Sequence, residues 1–93
     1  MRNYEAVLIL SPESELLASG KELARNLFNA DGCRVLKEDD MGERELAYDV
    51  KKNKKGHYIV YELELEPSHI PNLHKALKLR SEILKYMFVR KDS

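Results

Sequence analysis

Residues 3–10, NYEAVLIL, place Tyr4, Ala6, Leu8 and Leu10 on one side of an extended chain and Asn3, Glu5, Val7 and Ile9 on the other. The second side turns apolar at Val7 and Ile9, as expected of a strand inside a sheet. After Ser11-Pro12 the period changes. Leu16, Leu17, Leu23, Ala24, Leu27 and Phe28 fall on one stripe of an amphipathic helix over residues 13–30. Ser11 or Ser14 is the expected cap, with Pro12 tolerated near the first turn. Asp31-Gly32 is the expected stop, because glycine accepts the left-handed conformation that closes a helix. Gly20 sits inside this helix at a propensity cost of about 1 kcal/mol relative to alanine.

CRVLKEDD reads as a second strand that runs into an acidic turn at Glu38-Asp39-Asp40 and Gly42. RELAYDVK resumes extended character, with Leu46, Tyr48 and Val50 alternating, and KKNKKG is the expected hairpin tip, reaching beyond the globule. HYIVYELELE is the clearest strand: His57, Ile59, Tyr61, Leu63 and Leu65 make a mostly apolar side, and Tyr58, Val60, Glu62 and Glu64 an amphipathic one. Pro67 stops it. Ser68 is the expected cap of a second helix carrying Ile70, Leu73, Leu77 and Leu79, and ILKYMFVRK closes the chain as a last strand. The order β-α-β-β-α-β at this length predicts an α+β, ferredoxin-like sandwich: one domain over residues 1–93, a four-stranded antiparallel sheet, both helices on one face. The other face is left open and is expected to carry Glu5, Val7, Ile9, Tyr58, Val60 and Glu62. Apolar groups exposed on such a face call for a ligand or partner.

The composition, 43% hydrophobic and 34% charged, is that of a folded globule, and 93 residues are expected to make one domain, without room for a separate catalytic one. A net charge of zero speaks against a protein that coats nucleic acid unaided, but it conceals a dipole. Residues 1–50 hold six Lys/Arg against eleven Asp/Glu, and residues 51–93 hold ten against five. That asymmetry suits a partner that is anionic on one side. Cys33 is the only cysteine, so no internal disulfide forms and a reducing cytoplasm is the expected setting. MRNYEAVLIL turns acidic at once, without the small-residue site of a signal peptide, and no apolar run approaches the ~20 residues of a membrane span.

Catalytic chemistry finds no constellation. His57, His69 and His74 are scattered, and the last two are five apart rather than the i, i+4 of a helical metal pair. Glu38-Asp39-Asp40 lacks the spacing of a calcium loop, and Cys33 has no activating base beside it. KKNKKG has no glycine-rich run before its lysines and opens no helix, unlike a phosphate loop. Acylphosphatase-like hydrolysis on this topology needs a glycine-rich anion cradle after the first strand, where this chain has the acidic SPESE. Base stacking on the open face, as in RNA recognition motifs, has Tyr58 to offer but meets Glu62 and Glu64, which repel a strand lying there. Nucleic acid is therefore directed to edges and termini. No enzyme, cofactor, metal or small-molecule substrate is expected.

MRNYE at the start, GERELAYDVKKNKKGHY in the middle and LKYMFVRK at the end together resemble the bacterial small-subunit ribosomal protein numbered six, over essentially the whole chain. The resemblance implies a structural, non-catalytic protein of the ribosome in the cytoplasm. It implies a heterodimer with the small ribosomal protein numbered eighteen, binding the central domain of small-subunit rRNA. Mapped onto this chain, it implies RNA contacts at Arg2, Tyr4, Arg44, Lys52, Lys54, Lys55, Lys85 and Arg90, and partner contacts at Tyr48, Tyr58 and Val60. Arg2 with Lys85 or Arg90 is expected to clamp phosphates from neighbouring strands. A homodimeric module that binds a small ligand on its open sheet face is the alternative of a different class.

Overall fold

The computed structural model describes residues 2–30 and 32–91. Its elements follow the expected order: β1 (Arg2–Leu10), α1 (Ser14–Phe28), β2 (Cys33–Val50), β3 (Asn53–Leu65), a 3-10 turn (Pro67–His69), α2 (Ile70–Lys78) and β4 (Ile83–Lys91). The strands form one antiparallel sheet in the order β2-β3-β1-β4, so the two central strands are first and third in sequence. The ferredoxin-like expectation is met. Tyr4, Ala6, Leu8 and Leu10 of β1 lie beside Ile59, Tyr61, Leu63 and Leu65 of β3, and with Ala24, Phe28, Leu73 and Leu77 they make the core under the helices. Phe28 meets Tyr61 edge-on at 4.9 Å between ring centres and Phe88 at 6.3 Å. Fully burying side chains of this size contributes about 1.5–3 kcal/mol each.

The structure corrects the sequence reading at several element ends. Neither Ser11 nor Ser14 caps α1: the Glu13 carboxylate accepts from Leu16 N–H at 3.0 Å, while the Ser11 hydroxyl accepts from Glu13 N–H. The helix ends at Phe28, where Asn29 donates from both its backbone and its side chain to the Arg25 carbonyl. Asp31 lies outside the described residues. Gly32 has φ +83°, a backbone conformation that favours glycine, and the His69 ring in addition occupies the place a β-carbon would take. Ser68 does not cap α2: the chain enters through the 3-10 turn, with no side-chain bond at the helix start. Leu79 is off the apolar stripe, beyond the last turn, and 86% exposed. Gly20 packs closely against its surroundings: a β-carbon on it would stand 3.2 Å from Glu82 Cβ and 3.4 Å from a Leu10 methyl.

The expected acidic turn does not exist. Cys33–Val50 is one strand, and Asp40–Gly42 is a bulge in its pairing with β3. Gly42, at φ +78°, supplies the left-handed residue a bulge requires. The Asp40 carboxylate gathers Gly42 N–H at 2.9 Å, Lys21 Nζ at 3.0 Å and His57 Nε2. Burial pushes Asp40 up, but these bonds outweigh it and hold the group below its ordinary value.

Candidate nucleic-acid and partner interface

The face away from the helices is built in rows by the register. Gly42, Tyr58, Ile9 and Lys85 form one row across the sheet, and Asp39, Val60, Val7 and Met87 the next. Lys37, Glu62, Glu5 and Val89 follow, and Arg34, Glu64, Asn3 and Lys91 come last. One half is therefore apolar and the other charged. The charged half is largely neutralised from within. Lys91 Nζ donates to Glu62 at 2.9 Å and lies 3.4 Å from Glu5, and Arg34 lies 3.6 Å from Glu64. The Lys91 hydrogen bond holds Glu62 below the ordinary carboxylate range. On the apolar half Met87 is about half exposed beside the partly covered Tyr58, Val60 and Val7, and Val89 is about half exposed where the charged half begins.

The upper end of this face is closed by the chain itself. Between Glu45↔Lys55 and Val50↔Asn53 the β2–β3 pairing slips, so that residues 46–49 leave β3 and cross the face as an arm. Leu46 covers Ile9 and Gly56, and Tyr48 reaches β4, where Lys85 Nζ donates to its hydroxyl at 3.3 Å. Beyond it, Lys51 Nζ donates to the carbonyls of Ile83 at 2.7 Å and Arg80 at 3.2 Å. The hairpin tip therefore folds back onto the body instead of reaching beyond it. Under the arm lies a cleft of about 100 Å³ lined by Ile9, Leu46, Tyr48, Tyr58, Leu84 and Lys85, well short of the ~300 Å³ at which small-molecule sites begin.

The residues singled out from sequence divide into separate groups. Arg2 is exposed next to Asn3, which pairs with Lys91, and Arg90 pairs with Tyr4, so the N-terminal and C-terminal cations share one end of the sheet. Lys85 does not join them: it pairs with Ile9, about 20 Å along β1, and belongs with Tyr48. Lys52 and Lys54 lie at that same far end. Lys55 sits 3.8 Å from Glu43, and Arg44 lies exposed on edge strand β2, its Nε donating to the Met41 carbonyl. Tyr4 is only 9% exposed, in the core beneath the helices, which leaves its ring little surface to offer a ligand. Tyr48, Tyr58 and Val60 do lie on the open face, Tyr48 on the arm at 63% exposure. Sequence reading missed Lys91, the clasp of Glu5 and Glu62, and Lys51, the clasp of the tip. Strand parity with Lys85, Met87 and Val89 could have placed Lys91 on the open face, but nothing signalled Lys51.

Among the described residues no group of three or more His, Cys, Asp or Glu side chains could hold a metal ion, and no helix is long and apolar enough to cross a membrane. Cys33 is half-buried, and burial pushes its thiol up, away from the reactive thiolate.

Residues 3–90 match the family model described as ribosomal protein S6. The small ribosomal subunit protein bS6 of Treponema pallidum (strain Nichols) is 38% identical over 93 residues, covering all of both chains. The bS6 protein of Desulforamulus reducens is 33% identical, covering 97% of each. Among solved structures, the crystal structure of 30S ribosomal protein S6 from Thermotoga maritima superposes with a TM-score of 0.81 at 22% identity, covering 97% of this chain and 87% of that one. The C-terminal domain of the MgtC protein from Mycobacterium tuberculosis, at TM-score 0.66 and 11% identity, shares the fold alone.

Proposed function

The chain belongs to the ribosomal protein S6 family of the small subunit, and from that premise we propose that it binds the central domain of small-subunit rRNA as one half of a heterodimer with the ribosomal protein numbered eighteen, in the cytoplasm and without catalysing a reaction. The division of the open sheet face carries this reading. Its apolar half, with Val7, Tyr58, Val60 and Met87 beside Tyr48, offers surface to a protein, and its clasped carboxylates Glu5, Glu62 and Glu64 offer none to phosphate. RNA is left to the margins: Arg2 and Arg90 at one end, Lys52, Lys54, Lys55 and Lys85 at the other, and Arg44 on the edge. A chain of zero net charge is a weak ligand for RNA alone, so the basic surface of the complex must come in part from the partner.

The test separates the two surfaces. Val60→Glu is expected to abolish heterodimer formation in analytical ultracentrifugation while leaving the fold intact, since Val60 is on the open face. Arg2→Ala with Arg90→Ala is expected to leave the heterodimer and weaken its hold on rRNA. Heterodimer formation unaffected by Val60→Glu would contradict the assignment of the apolar half to the partner.

A further inference from the structure

The tip of the β2–β3 hairpin uses residues that its geometry disfavours. Lys51 and Lys52 are both left-handed, at φ 48° and 65°. A two-residue hairpin turn demands this of both central residues, and asparagine and glycine are the usual occupants. Strained backbone of this kind persists where the surroundings hold it and a function uses it. The surroundings account for Lys51, whose ammonium is spent on the Ile83 and Arg80 carbonyls. Asn53 stiffens the turn further by donating to the Lys51 carbonyl at 3.1 Å. They do not account for Lys52.

The segment that receives Lys51 is the turn between α2 and β4. Two residues before Arg80, Lys78 stands exposed in the last turn of α2, and Leu79 follows it at 86% exposure. Among the described residues, Lys52, Lys54 and Lys78 meet no carboxylate, whereas Lys21, Lys37, Lys55 and Lys91 each lie within ion-pair reach of one. Glu45 and Asp49 share a surface cleft with Lys54, and neither pairs with it. The clasp thus brings uncommitted cations from two segments distant in sequence to one end of the molecule.

We propose that this end is a phosphate-binding surface for an RNA backbone, with Lys52, Lys54 and Lys78 as its contacts and Lys51 as the positioning residue that holds the tip against the α2–β4 turn. The proposal rests on the RNA-binding reading above, which already sets Lys52 and Lys54 at the opposite end of the sheet from Arg2 and Arg90, and adds to that end Lys78, a member that the chain order alone does not suggest, and Lys51 as the residue that positions it. Ammonium groups are point charges without a fork, so the surface recognises backbone phosphates and not bases.

The experiment compares the full chain with a Lys52→Ala, Lys54→Ala, Lys78→Ala variant by fluorescence anisotropy across a KCl series. Two probes are used: the rRNA central-domain fragment in the presence of the partner protein, and an unrelated RNA duplex of about 20 base pairs without it. Each lost phosphate contact reduces the log–log salt slope by about 0.7–0.9. The triple variant is expected to bind both probes about tenfold more weakly, with a slope shallower by about 2–3. Lys51→Met is expected to weaken both probes about threefold, because the tip is released, and Lys51→Arg, which keeps the donors, to restore binding. Thermal melts confirm that the variants stay folded. A wild type that ignores the fragment but binds the duplex through these lysines would sink the ribosomal reading and leave the surface standing. A triple variant with wild-type affinity and slope on both probes overturns the surface, as does a wild type that binds neither.

Discussion

Gly56 is the position at which one methyl group tests the closed end of the sheet. It is buried in β3, and a β-carbon there would fall well inside 3.0 Å of Ile9 Cγ2, a separation that real β-carbons essentially never show. It would also stand 3.3 Å from Leu46 Cδ2 and 3.6 Å from Leu84 Cδ1. Ile9 cannot yield easily, since it is 9% exposed beneath the arm and its Cγ2 is tied to the backbone through Cβ alone. Overpacking of this kind costs about 1–3 kcal/mol. Gly56→Ala is therefore expected to lower the urea midpoint, and to lower Tm by about 4–8 °C for each kcal/mol lost at this size. The cause is separable from a loss of backbone freedom by a double-mutant cycle. In an Ile9→Ala background the offending methyl is gone, so Gly56→Ala should cost little, giving a coupling of at least about 1 kcal/mol. A Gly56→Ala change that is neutral in the wild type, or equally costly in both backgrounds, would refute the close approach of Ile9 to Gly56 at this end of the sheet.

Other substitutions probe the rest of the scaffold. Gly20→Ala is expected to withhold the ~1 kcal/mol that helix propensity promises, because the new methyl meets Glu82 Cβ at 3.2 Å; a full gain in chemical denaturation would contradict that close approach. Phe28→Ala empties a fully buried site against Tyr61 and Phe88 and should cost about 3–5 kcal/mol in the same assay. Glu82 is held down to about 2 by the Arg80 guanidinium, then by its own backbone N–H and the Ser19 hydroxyl. Its stabilising effect is thus complete above an unfolded value of 4.5 and is lost as pH falls from there toward 2. Glu82→Gln should flatten that part of the pH–stability curve, and an unchanged acid limb would argue against the pair.

The fold was legible because both sides of its central strands follow a clean alternation. Leu8 and Tyr61 could be assigned to the core, and Val7 and Val60 to the open face, from parity alone. What stayed hidden depends on contacts between distant segments. Asp40 looks like a turn former in sequence, but Lys21 and His57 draw it into a strand bulge. Gly32 looks like a helix stop, but it lies beyond the end of α1 at φ +83°, with the ring of a histidine far along the chain, His69, over it. The arm was the largest omission, since Leu46, Tyr48 and Val50 alternate as in any strand while crossing to the far side of the sheet. For the candidate interface, parity found Tyr58 and Val60 on the open face. It also set Tyr4 beside Leu8 in the core, against the RNA contact that the family motif implied, and the structure sides with parity. No local pattern could show that Lys51 is consumed by two carbonyls some thirty positions away.

Joint recognition of rRNA by this chain and its partner is decided by a salt-dependent titration of the central-domain fragment, with and without the ribosomal protein numbered eighteen. Binding is expected to be tight only with both proteins present and to weaken steeply as salt rises. Equal binding by this chain alone, or no binding by the pair at low salt, would contradict joint recognition.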